Sequence, residues 1–155
     1  MRKHSLRPAR MDEADLLTDI AMRSKAVHGY GAEFIAACRE DMTLTTDLMP
    51  HTTVIEVDAE VCGLYALVPV SPITEAHLDF MFVAPEHIGK GYGRLLWRHA
   101  IDRARTEKMN VIWIVSDPFA VPFYTKMGAQ QVKTVLSSCI EGRTLPLMRF
   151  DFTKS

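Results

Sequence analysis

The chain has 155 residues, of which 48% are apolar and 24% charged, with a formal net charge of -1. That length suits one compact domain whose core needs no disulfide or metal staple, and the near-neutral balance supplies no general field for nucleic acid or an anionic membrane. Cys38, Cys62 and Cys139 are scattered and odd in number, and no apolar run reaches signal-peptide or membrane-spanning length, so the expected location is the reducing cytoplasm.

Residues 5–8 read as a short first strand. Asp12 offers a helix cap, with Asp15 three residues later as a weak capping box. Leu16, Leu17, Ile20 and Met22 follow at roughly helical spacing. The glycines of His28-Gly29-Tyr30-Gly31 fray that helix. A second helix is expected over 32–41, with Phe34, Ile35 and Cys38 on one face.

After Pro50 the pattern turns to strands. The β-branched stretch Thr52–Val57, a turn at Asp58-Ala59-Glu60 and a return over 61–68 predict a hairpin. Pro69, Ser71 and Pro72 break the chain before a further strand, Glu75–Val83, which Ala84-Pro85-Glu86 ends. Residues 94–108 form an amphipathic helix with Leu95, Leu96, Trp97, Ala100, Ile101 and Ala104 as its apolar stripe. Val111–Val115 is a short apolar strand of the parallel-sheet kind. Residues 118–127 make a last short helix, closed by Gly128. Gln130–Leu136 and residues 144–152 close the chain as a strand pair joined through Glu141-Gly142-Arg143. With no repeat, low-complexity segment or linker, residues 1–155 are expected to be one α/β domain, a mixed sheet covered by helices.

The segment Ile88-Gly89-Lys90-Gly91-Tyr92-Gly93-Arg94 lies where a strand hands over to a helix. A helix start leaves N–H groups unpaired, and the positive end of the helix dipole converges with them on one point. Glycines let the backbone curl around an anion without interference from Cβ, and Lys90 and Arg94 add positive charge. The spacing is not that of a dinucleotide fingerprint, because Arg94 stands where the third glycine belongs. Nor is it that of a nucleoside-triphosphate loop, which needs lysine and a hydroxyl residue at the helix start. In isolation the loop reads equally as a ligand-free connection, so its surroundings decide.

Those surroundings resemble the GCN5-related N-acetyltransferase (GNAT) superfamily over nearly the whole chain. Phe82-Val83-Ala84-Pro85-Glu86 precedes the glycine loop, and Asp117, Ala120, Phe123-Tyr124 and Lys126-Met127-Gly128 follow Val111–Val115, as the two signatures of that family do. The resemblance implies a GNAT fold of α/β (α+β) class, a mixed and mostly antiparallel twisted sheet of about seven strands flanked by four helices. It implies acetyl transfer from acetyl-CoA to a primary amine of a small molecule or peptide by direct attack, with no metal. The cofactor would be held by Phe82, Val83, Ile88, Gly89, Lys90, Gly91, Tyr92, Gly93, Arg94, Asp117, Ala120 and Phe123. Two positions depart from the family pattern. Ile88 replaces the usual Arg or Gln, which leaves the phosphate grip to backbone amides helped by Lys90, Arg94 or Arg98. Asp117 replaces a common Asn, and a helix cap before Pro118 is its favoured role.

Tyr124 matches the family's tyrosine and is the expected general acid, against the alternative of a packed core aromatic. Glu75, His77 and Asp79 alternate along a strand and so share a face. Asp79 is the first choice for a base, if burial raises its pKa, and His77 the second on its intrinsic pKa. A water chain that needs no side chain is a third route. The acceptor pocket is expected between the first two helices and the last hairpin, with His28 and Tyr30 shaping it or merely capping the helix junction. Arg143 would hold an acceptor carboxylate or serve as a surface charge partner, and Ser137 and Ser138 lie beside it. The six histidines show no metal-ligand spacing. A nucleic-acid or membrane partner is not expected, whereas a homodimer is common in the family. The competing function is a catalytically silent module that binds acyl-CoA as a sensor.

Overall fold

Asp58 and Ala59 both take left-handed backbone angles, with φ of 51° and 68°. Two such residues in succession make the tight loop whose twist suits a β-hairpin. This turn joins two strands near the start of a seven-stranded sheet in the computed structural model, which describes residues 3–70 and 74–152. The strands are β1 (His4–Pro8), β2 (Thr52–Val57), β3 (Glu60–Val70), β4 (Glu75–Val83), β5 (Val111–Val115), β6 (Gln130–Leu136) and β7 (Thr144–Asp151). The helices are α1 (Ala14–Ala26), α2 (Ala32–Ala37), α3 (Tyr92–Thr106) and α4 (Val121–Lys126). The expected break at Ser71 and Pro72 lies outside the described residues, as do the first two residues of the chain.

The spatial order is β1-β2-β3-β4-β5-β7-β6. Every neighbouring pair is antiparallel except β4 and β5, which run parallel. This is the mixed, mostly antiparallel sheet with four helices that the sequence resemblance implies. Alternation along the strands divides the apolar residues between two cores. One packs Leu96, Trp97, Ala100 and Ile101 of α3 and Tyr124 of α4 against Ile55, Tyr65, Leu67, Ile112 and Met148. The other packs Leu17, Ile20 and Ala21 of α1, with Cys38 beyond α2, against Val54, Leu64, Ala66 and Phe80.

Several local expectations are corrected. The cap at the entry to α1 is not Asp12. A 3-10 turn at Met11–Glu13 precedes the helix, and Glu13 accepts the Arg10 backbone N–H at 2.8 Å. Arg7 donates to both Glu13 carboxylate oxygens at 3.0 and 2.8 Å, so a strand cation takes over the anchoring. Leu16 is 45% exposed, and the buried stripe is Leu17, Ile20 and Ala21. The second helix stops at Ala37, short of Asp41. Past it, Met42 N–H bonds Cys38 O at 3.0 Å and the Thr43 hydroxyl bonds Arg39 O at 2.7 Å, so the chain winds into turns. In the last helical segment, Pro118–Ala120 forms a 3-10 turn before α4 begins.

The feature that positions the site is a split in the sheet. β4 pairs with β5 only through Glu75–Val111, Ala76–Ile112 and His77–Trp113. Beyond that point β4 continues to Val83 along β3 alone, while β5 follows β7. At the same place the β3–β4 register shifts, since Ala66 faces Phe80 and Leu67 faces Leu78, which leaves Asp79 as an extra residue. Such a bulge bends a strand and re-aims its side chains. Ala76 and Leu78 therefore join the α3 core, whereas Phe80 and Phe82 join the α1 core.

Candidate functional site

The diverging strands open a cavity of about 440 Å³. Leu78 to Phe82 of β4 form one wall, and Ile114 to Asp117 form the wall opposite. Lys25 and His28 from the end of α1, and Ser137 to Cys139 and Arg143 from the β6–β7 connection, close the rim.

Asp79 and Tyr124, far apart in sequence, both line this space. Asp79 is open to solvent at the cleft, yet the walls around it desolvate the carboxyl enough to push its pKa up, against a smaller opposing effect of His77. Tyr124 is buried, with ring centroids 5.9 Å from Trp97 and 5.3 Å from Phe123. Burial alone pushes its phenol well above the ordinary value. Its hydroxyl therefore keeps its proton through the neutral range. His77 occupies the last paired position of the β4–β5 seam, opposite Trp113, and does not line the cavity.

Two of the proposed acceptor residues, Tyr30 and Arg143, meet at one carboxylate. Asp117 Oδ2 accepts from Lys25 Nζ and from the Tyr30 hydroxyl, each at 3.0 Å, and Arg143 stands 4.0 Å away. Arg143 also donates to the Tyr30 hydroxyl at 2.8 Å. Tyr30 stacks on Phe34 at 4.2 Å, and both Lys25 and Arg143 lie over that aromatic pair. His28 stacks on Phe119 at 4.5 Å. Asp117 also caps the 3-10 turn, since its Oδ1 accepts Phe119 N–H at 2.9 Å. Partial burial pushes its pKa up, but the bonds from Phe119, Lys25 and Tyr30 outweigh that and hold it below the usual carboxylate range.

Asp41, which Ser138 hydrogen-bonds, and the thiols of Cys38 and Cys139 complete the lining and were not singled out from the sequence. Burial first, and then the adjacent Cys139 thiol, push the Cys38 thiol up to about 11, so it is not a ready nucleophile at neutral pH. No sequence spacing signals these groups, because they come from separate loops.

The glycine loop lies at the far end of β4. Gly89 and Gly91 have φ of 87° and 86°, and an added Cβ at either would meet nothing within 4 Å. Their left-handed angles, rather than crowding, call for glycine, and the space before them is open. Gly91 caps α3. The backbone N–H groups from Gly89 to Arg94 donate to no acceptor among the described residues. Six consecutive amides at a helix start are suited to an anion. Gly93 faces the Phe123 ring, 3.6 Å from where a Cβ would stand, which is ordinary contact distance. The Tyr92 side chain is buried in the α3 core, 6.1 Å from the His87 ring, so its amide is what it can offer a ligand. Lys90 and Arg94 are exposed, and Ile88 is 53% exposed.

The sequence profile of the acetyltransferase (GNAT) family matches residues 17–129. The chain belongs to the GNAT acetyltransferase family. No curated protein sequence matches it. Among solved structures, its fold is similar to PaiA N-acetyltransferase from Thermoplasma acidophilum in complex with coenzyme A, at 14% identity and a TM-score of 0.79, covering 97% of this chain and 99% of that one. It is similar to the ribosomal-protein-S18-alanine N-acetyltransferase of Escherichia coli, at 15% identity and a TM-score of 0.72, covering 99% and 96%. It also matches N-acetylglutamate synthase from Neisseria gonorrhoeae complexed with coenzyme A and N-acetyl-glutamate, at 17% identity and a TM-score of 0.72, covering 98% of this chain but 36% of that one. At these identities the GNAT likeness is one of fold. Among the described residues, no helix is long and apolar enough to cross a membrane.

Proposed function

We propose that residues 1–155 act as one GNAT domain that transfers an acetyl group from acetyl-CoA to a primary amine by direct attack. The observation that carries this reading is the shared cavity of Asp79 and Tyr124 at the split of β4 and β5, with the unpaired amides of residues 89–94 at the far end of β4. Those amides suit a pyrophosphate, and the open edge of β4 near Phe82 and Val83 suits the amide-bearing arm that follows it. Lys90 and Arg94 add charge from exposed positions, and Ile88 adds none. Ala120 lines the cavity and Phe123 packs beside Gly93 at the start of α3, so these two would flank the thioester arm.

A thioester is already activated, so the protein has to orient it and move two protons. Asp79, with its raised pKa, takes a proton from the amine through a water. The neutral amine nitrogen then bonds to the acetyl carbon as the carbon–sulfur bond breaks, Tyr124 gives its proton to the leaving sulfur, and the product nitrogen returns its surplus proton to the phenolate. Lys25, His28 and Arg143 line the wall that an acceptor would meet, and Tyr30 holds Arg143 and Asp117 by hydrogen bonds.

The test is thiol release from acetyl-CoA across a panel of amino acids, polyamines and amino-terminal peptides. Turnover with at least one amine is the expected result. Tight acetyl-CoA binding with no turnover on any amine would instead establish the silent sensing module.

A further inference from the structure

Glu60, Cys62 and His87 come together below the glycine loop, away from the cavity. The β2–β3 register shifts here, since Ile55 faces Gly63 and Glu56 faces Val61, so Cys62 is the extra residue of a bulge. His87 ends a 3-10 turn, Pro85–His87, that leads directly into the loop. Ala84 N–H donates to Cys62 O at 2.8 Å and His87 N–H to Ala84 O at 2.9 Å, which ties this turn to the bulge. A carboxylate oxygen of Glu60, the Cys62 sulfur and a ring nitrogen of His87 all lie within 4.8 Å of one another. Glu60 Oε2 is 3.2 Å from His87 Nε2. Cys62 and His87 are buried, whereas the Glu60 side chain is 63% exposed.

We propose that Glu60, Cys62 and His87 form a site for one divalent cation of the zinc class at the base of the glycine loop. A thiolate, an imidazole nitrogen and a carboxylate are the donors zinc takes, at about 2.0–2.3 Å each. The buried donors come from the tied bulge and turn, and the exposed Glu60 side chain has the freedom to close in. Its open side leaves a fourth place for water. Sulfur and nitrogen donors disfavour magnesium and calcium, which take oxygen.

Binding has a proton balance. The Cys62 thiol releases its proton to solvent, and His87 offers the Nε2 lone pair with its proton on Nδ1. In that tautomer Nδ1 no longer accepts from Lys90 Nζ, which stands 3.5 Å away. Affinity therefore falls as pH is lowered.

The test uses the full chain, stripped with chelator and titrated with Co²⁺ and then Zn²⁺. One equivalent of Co²⁺ should raise a thiolate-to-metal charge-transfer band that Zn²⁺ abolishes. Cys62→Ser should remove the band, and Cys38→Ser and Cys139→Ser should leave it intact. Glu60→Gln, at an exposed position that does not threaten folding, should weaken Co²⁺ affinity about tenfold or more. Absence of the band, its loss on Cys38→Ser or Cys139→Ser, or unchanged affinity in Glu60→Gln would overturn the proposal.

Discussion

Lys25 Nζ and Asp117 Oδ2 stand 3.0 Å apart across 92 residues of sequence, with their side chains 13% and 17% exposed. The pair joins the end of α1 to the connection between β5 and α4, the two sides of the cavity rim. The same carboxylate caps the turn that leads into α4, where Tyr124 resides. A disturbance at Asp117 therefore reaches both the rim and the placement of the proposed acid.

Asp117→Ala should destabilise the protein by about 3 kcal/mol, because it leaves a mostly buried lysine without its partner. The folded-state pKa of Asp117 lies below its ordinary value. Its contribution is therefore fully present above the unfolded value of about 3.9 and is lost as pH falls through the folded value. Urea unfolding of both proteins over a pH series should show the gap narrowing on the acid side. A gap that stays constant there would count against the pair as its source.

Tyr124→Phe should lower turnover by about 10²-fold, the usual scale for a general acid. The substitution keeps the buried ring and removes only its hydroxyl, so it should barely change the melting temperature or acetyl-CoA affinity. Steady-state kinetics with calorimetry separates these effects. Undiminished turnover would assign Tyr124 to packing alone.

Asp79→Asn should cost about 10²-fold in kcat/KM. In the wild type, kcat/KM should rise with pH as this carboxyl ionises, with a midpoint above the ordinary value of about 3.9 because burial raises it. The variant should lose that limb. A limb retained in Asp79→Asn would place the base elsewhere.

Gly91→Glu should abolish acetyl-CoA binding, since it puts a carboxylate among the unpaired amides at a left-handed position. Ile88→Arg should have the opposite effect. The exposed isoleucine makes way for a cation worth about 0.3–1 kcal/mol near a surface anion, or roughly twofold to fivefold in affinity. Calorimetry on both variants checks the pair.

Much of the fold was legible because it is written in short-range patterns. Alternation, the glycine loop and the two ordered signatures placed every strand within a few residues, and they pointed to the cleft. What escaped depends on contacts across the sheet. The bulge at Asp79 inverts the facing of Phe80 and Phe82 relative to Leu78, and simple alternation from Glu75 onward misses it. His77 shares the face of Asp79 by alternation and has the better intrinsic pKa for a base, but it sits in the closed part of the seam. Arg7 anchors Glu13 from a neighbouring strand, so a local search for a cap settled on Asp12. The Asp117 cap was readable from Pro118, whereas its bonds to Lys25 and Tyr30 were not.

The three-pair seam between β4 and β5 also has a mechanical consequence. The sheet resembles two blades joined at one end, and the missing length of ladder leaves main-chain groups of both strands facing a gap. A ligand that fills this gap with its own amides would act as a splint across the blades. Its binding should raise the melting temperature with concentration, by about 2.7 kcal/mol of stability at a hundredfold excess over Kd. Amide exchange should slow along the free edge of β4 from Leu78 to Val83, while β1 and β2, remote from the gap, keep their rates.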